Sequence, residues 1–133
     1  MKRFGWADDA PAADRLEQGL KQGREALDRG RHTSVAGVLR SVAERYMLTG
    51  HGVEAKLFVE LWDLYAASAK ADPRKYGGPW GFDSDFPSAQ VVAGWDVIEE
   101  DPALSDAERL RTTKHIGRWL TEAVVPKCAG AAR

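Results

Sequence analysis

The sequence predicts an all-α chain built from antiparallel helical hairpins. Three observations carry that expectation. Apolar residues recur at helical spacing in several separate segments, capping and stopping residues bound those segments, and no alternating run of strand length occurs. With 133 residues, 44% of them apolar and 29% charged, the chain has the composition of a single ordered domain with a core of its own. The expected division is 1–32 for an N-terminal helix and arm, 33–125 for hairpins, and 126–133 for a tail.

The first helix is expected from near Pro11 to about Asp28. Leu16, Leu20 and Leu27 mark one face, Gly19 and Gly23 weaken it, and Gly30 ends it. Ser34 can cap a second helix in which Val35, Val38, Leu39, Val42 and Tyr46 share a face; Gly37, Arg40 and Glu44 oppose it, and Thr49-Gly50 stops it. A third helix, about Val53 to Ala71, carries Leu57, Phe58, Leu61, Trp62, Leu64 and Tyr65, with Ala55, Val59 and Ala66 filling most of the rest. A helix apolar on most sides is enclosed by several neighbours.

A fourth helix is expected over about Ser88–Glu99, with Val92, Trp95 and Ile98 as its apolar residues. Ser105-Asp-Ala-Glu108 is a capping box that opens a fifth, with Leu110, Ile116, Trp119, Leu120 and Ala123 on one side and Pro126 at its end. Links of about four and about five residues between helices two and three and between four and five force neighbours to run opposite ways. Two such hairpins in succession suggest an α/α repeat array rather than a closed four-helix bundle.

Several function classes are disfavoured. Lys and Arg total 19 against 20 Asp and Glu, a net charge of −1, so no overall field draws the chain to nucleic acid or an anionic membrane. The N-terminus lacks the apolar run of a signal peptide, and no segment reaches the length of a membrane helix. The chain as it stands is expected to be soluble and cytoplasmic. Cys128 has no second cysteine to pair with, His32, His51 and His115 lack metal-site spacing, and no phosphate-cradling or nucleophile-turn motif occurs. Neither a metal nor a cofactor is expected.

One run, Tyr46-Met-Leu-Thr-Gly-His-Gly-Val-Glu-Ala55 followed by Leu57-Phe58 and Leu61-Trp62, resembles the Thr-Gly helical hairpin of α/α-toroid proteins. A second, Gly94-Trp-Asp-Val-Ile-Glu-Glu-Asp-Pro-Ala-Leu-Ser-Asp-Ala-Glu-Arg-Leu110, is similar to a stretch in the toroid domain of heparinase II/III-like polysaccharide lyases. The resemblance covers roughly residues 35 to 123. It implies the first arc of a toroid, in a protein that recognises or helps degrade an acidic polysaccharide. Complete relatives act by proton abstraction and β-elimination, and are commonly exported. The family's catalytic residues lie on later hairpins, so no catalytic role passes to any residue here.

Candidate contacts follow. The segment from Lys75 to Gln90 is rich in glycine, proline and rings. Tyr76, Trp80 and Phe82 offer faces for a sugar ring, and Asp83 and Asp85 can accept from hydroxyls. The same residues also suit a plain turn whose rings cap the core. Asp96, beside Trp95, could look into a cleft or form a surface ion pair. Arg111, Lys114, His115 and Arg118 make a basic stripe on the fifth helix that could meet uronic acids or phosphate, or could be a solvated face pointing away from Ile116 and Trp119. The alternative reading is a non-enzymatic helical scaffold that self-associates or binds a protein partner through apolar surface an arc leaves open.

Overall fold

A computed structural model describes residues 12–29, 32–71 and 85–121. These residues form five helices: α1 (Ala12–Asp28), α2 (His32–Thr49), α3 (Gly52–Ala71), α4 (Asp85–Ile98) and α5 (Asp106–Trp119). No strand occurs among them, so the described fold is all-α. Helix α2 begins ahead of Ser34, and α4 begins ahead of Ser88. Asp85 therefore opens a helix, where the sequence suggested that it lay in a loop.

Helix α3 is the axis of the core. Ala55, Leu57, Phe58, Val59, Leu61, Trp62, Tyr65 and Ala66 are all buried, as expected of a helix apolar on most sides, and Glu60 and Ala67 are exposed. Phe58 stacks on Trp95 of α4, with ring centroids 6.1 Å apart, and Trp62 meets Trp119 of α5 edge-on at 5.3 Å. One helix thus serves two neighbours with two rings one turn apart.

The order of contacts gives the helix directions. Between α1 and α3, Arg15 meets Glu54, Gly19 lies against Leu57 and Gly23 against Leu61, so the two run parallel. Between α3 and α5, Lys56 meets Glu108 and Trp62 meets Trp119, again parallel. Helix α2 is antiparallel to α3, joined to it only by Gly50 and His51, and packs along α4. Helices α1, α3 and α5 form one row, and α2 and α4 a second row against it. Alternate helices, not consecutive ones, are parallel neighbours.

Three sequence expectations need correction. Gly19 and Gly23 do not weaken α1's packing. A Cβ at Gly19 would come 2.3 Å from a Leu57 methyl, and one at Gly23 would come 2.4 Å from a Leu61 methyl, so these glycines let α1 approach α3 closely. On α4, Val91 is buried while Val92 is exposed, because the helix turns Val91, Trp95 and Ile98 inward. On α5, Leu110 is 57% exposed, and the inward face is Thr112, Ile116 and Trp119. The links also differ from expectation. Two residues join α2 to α3, and the α4–α5 link, 99–105, is longer than the sequence suggested.

Candidate functional site

Among the described residues, hydrogen bonds gather where the α2–α3 turn meets the α4–α5 turn. Gly50 adopts φ 67°, the left-handed conformation that ends α2, and its N–H donates to the Tyr46 carbonyl at 2.7 Å. Thr49 Oγ1 donates to the Arg45 carbonyl and accepts from the His51 amide, satisfying the turn locally. The Tyr46 hydroxyl reaches across to donate to Asp101 Oδ2 at 2.7 Å, and Asp101 Oδ1 accepts from the Ala103 amide at 2.8 Å. That hydrogen bond, then burial, then the carboxylate's charge hold the Tyr46 phenol above its usual pKa of 10.0.

The α4–α5 link is bound from its own side too. Arg109 donates to the carbonyls of Glu99 and Asp101, at 2.8 and 2.6 Å, and pairs with Asp106. Ser105 caps α5 with a complete capping box through Glu108. Glu108 also takes Lys56 of α3 at 2.6 Å. The Lys56 hydrogen bond, opposed by burial and helped by Ser105, holds the Glu108 carboxyl below the usual range. The capping box that starts α5 is therefore also a clamp on α3.

A second polar knot lies beside this junction. Glu54, in the first turn of α3, is 1% exposed and receives Arg15 Nε at 2.6 Å and Nη2 at 2.9 Å from α1. Arg45 Nε of α2 meets the same carboxylate at 3.0 Å. Two guanidinium groups from two helices hold one buried carboxylate, an arrangement that costs a great deal to leave half-paired. It ties three helices together.

The residues named from the sequence fare differently. Tyr76, Trp80, Phe82 and Asp83 lie outside the described residues, as does Cys128. Asp85 is the first residue of α4, and Asp96 is exposed on the same helix. Trp95 is core, 6% exposed, with its Nε1 donating to Thr113 Oγ1 at 3.1 Å.

The α5 stripe is not one solvated face pointing away from the core. Arg111 pairs with Asp63 of α3 at 2.9 Å, and His115 is half-buried, edge-on to Trp62 at 6.0 Å. Burial pushes the His115 imidazole below its usual pKa. Asp63 opposes this, while Arg118, Lys70 and Arg111 reinforce it. Lys114 and Arg118 are exposed. The α3–α5 contact also buries Trp62 Nε1 and Thr112 Oγ1 with no hydrogen-bond partner among the described residues.

No family model, curated protein or solved structure matches this chain. The case for any activity therefore rests on its own residues. Among those described, no three His, Cys, Asp or Glu side chains gather where they could hold a metal ion, and no helix is long and apolar enough to cross a membrane.

Sequence reasoning missed Glu54, Asp101 and the long-range role of Tyr46. The separations are 39 residues for Arg15–Glu54 and 55 for Tyr46–Asp101, beyond the reach of any local pattern. The available signal was a glutamate in the first turn of a helix that is apolar on most sides.

Proposed function

We propose that the chain is an arc of an α/α toroid that recognises an acidic polysaccharide. The observation that carries this reading is the Tyr46–Asp101 bond, which joins the two sequence runs that resemble toroid hairpins. The two parallel rows of alternating helices support it as well. The surface of α5 supplies the cations: exposed Lys114 and Arg118, with Arg111 beside them, suit the carboxylates of uronic acids, and the neutral His115 adds a ring N–H donor. Tyr76, Trp80, Phe82, Asp83, Asp85 and Asp96 belong to the same reading as sugar contacts. No residue here is given a catalytic role, and β-elimination would need groups beyond those named.

Tryptophan fluorescence tests the reading, since Trp62 touches His115 and reports on the α5 surface. A galacturonate hexamer should change the emission saturably and less strongly as salt rises, whereas a neutral glucose hexamer should not. Lys114→Glu with Arg118→Glu should weaken the response at least tenfold in a chain whose circular dichroism remains that of the parent. Equal responses to both sugars, or none, would refute it.

A scaffold reading is favoured by one different observation. An apolar groove of about 350 Å3 runs between α2 and α4, floored by Ala43, Ala93 and Gly94 and edged by Met47 and Val97, which are 67% and 39% exposed. A discrete oligomer in light scattering, dispersed by Met47→Asp and blind to every sugar, would select it.

A further inference from the structure

A second groove, of about 360 Å3, opens on the other flank of α2, between it and α1. Arg15, Gly19 and Gln22 of α1 and Gly37, Val38 and Ser41 of α2 line it. Among the described residues lining it, Arg15 carries the charge; Glu54 offsets that charge from behind, so what the groove offers an anion is the guanidinium's remaining N–H donors. Its volume falls at the small end of the range for ligand sites.

The guanidinium is already oriented. Glu54 holds its Nε and Nη2, and the two N–H groups of Nη1 make no hydrogen bond among the described residues. A fork fixed along one edge loses little side-chain freedom when its other edge takes a carboxylate. The remaining wall is mixed. Gln22 is exposed and can both donate and accept. Ser41 Oγ spends its proton on the Gly37 carbonyl at 3.0 Å and so presents lone pairs, while Val38 offers an apolar side. At Gly37 a Cβ would meet nothing within 4 Å, so the missing side chain contributes to the opening.

We infer that the α1–α2 groove binds a small organic anion, its carboxylate on Arg15 and its polar groups on Gln22 and Ser41. This site is separate from the α5 surface and stands whether or not the chain binds polysaccharide. The probes are 4-hydroxybenzoate and gluconate, each titrated into the 15N-labelled chain beside its uncharged counterpart, 4-hydroxybenzamide or sorbitol. At least one acid should shift the Arg15 Nε–H and Gly37 amide signals saturably, at least tenfold more tightly than its counterpart.

A Cβ at Gly37 meets nothing within 4 Å, so Gly37→Leu starts from open space and extends across the opening. It should keep or raise the melting temperature while weakening the acid at least tenfold. Gln22→Glu, an exposed change that places a like charge at the rim, should weaken it severalfold. The inference is overturned if neither acid gives saturable shifts at Arg15. It is equally overturned if the neutral counterpart binds as well, or if both variants bind the acid like the parent chain.

Discussion

Two regions of helix α2 make opposite use of polar side chains. At its C-terminal end, Tyr46 and Thr49 spend their hydroxyls on Asp101 and the Arg45 carbonyl, and the facing turn is closed by Arg109, Ser105 and Glu108. Toward its N-terminal half, Gly37, Val38 and Ser41 border an open groove into which Arg15 brings a guanidinium with one edge uncommitted. The first region is consumed by structure, since buried polar groups that satisfy one another have little left for a ligand. The second retains donors and room. Dense hydrogen bonding at a turn marks what holds the helices together, and a fixed but half-used guanidinium marks where binding is to be sought.

The largest expected effect belongs to the knot the two regions share. Glu54→Gln keeps the shape but leaves Arg15 and Arg45 facing a neutral amide, and should cost about 3 kcal/mol in urea unfolding. That is the low end for a broken buried pair, because the two arginines keep 19% and 26% exposure. A loss near zero would mean that the knot does not organise the three helices.

Two glycines on the same groove sharpen the contrast. Gly19→Ala should cost about 1–3 kcal/mol, since its methyl would press on Leu57 in a packed contact. Gly37→Ala should gain up to about 1 kcal/mol, because helix propensity improves in open space. If both changes moved stability the same way, the groove would not be open on the α2 side.

At the junction, Tyr46→Phe should cost about 1 kcal/mol by removing one of Asp101's donors. The folded chain holds the phenol above its unfolded pKa, so this stabilisation is complete below pH 10 and is lost as pH rises through the folded value. The variant should therefore lose less stability than the parent chain between pH 9 and pH 11, a test made by melting temperature.

The smallest effect is acidic. His115 is held below its usual pKa of 6.5, so its contribution is present above that value and is lost as pH falls toward the lower folded pKa. His115→Phe keeps a ring against Trp62 and should flatten the fall in melting temperature between pH 7 and pH 5.

How much could be read from the sequence follows from distance along the chain. Helix α3 was legible because its apolar residues cover most of its circumference, and the start of α5 was legible because a capping box is complete within four residues. On α5, Ile116 and Trp119 were read correctly as inward, but Leu110 was misplaced because it counts as apolar and Thr112 overlooked because it counts as polar, although 112, 116 and 119 keep helical spacing. Gly19 and Gly23 read as helix weakeners because their value lies in Leu57 and Leu61 on another helix. The Arg15–Glu54 and Tyr46–Asp101 pairs were beyond reach for the same reason. Of the candidate site, the α5 stripe was legible from helical spacing, but Asp63 and Trp62, which meet Arg111 and His115, come from α3 and divide it.

The most direct test of the account is hydrogen–deuterium exchange with and without the galacturonate hexamer. The closed junction, residues 44–56 and 99–108, should exchange slowly and be indifferent to the sugar. Added protection should fall on 109–121, where Lys114, His115 and Arg118 lie. Protection that does not change anywhere, or that changes at the junction and not on α5, would contradict it.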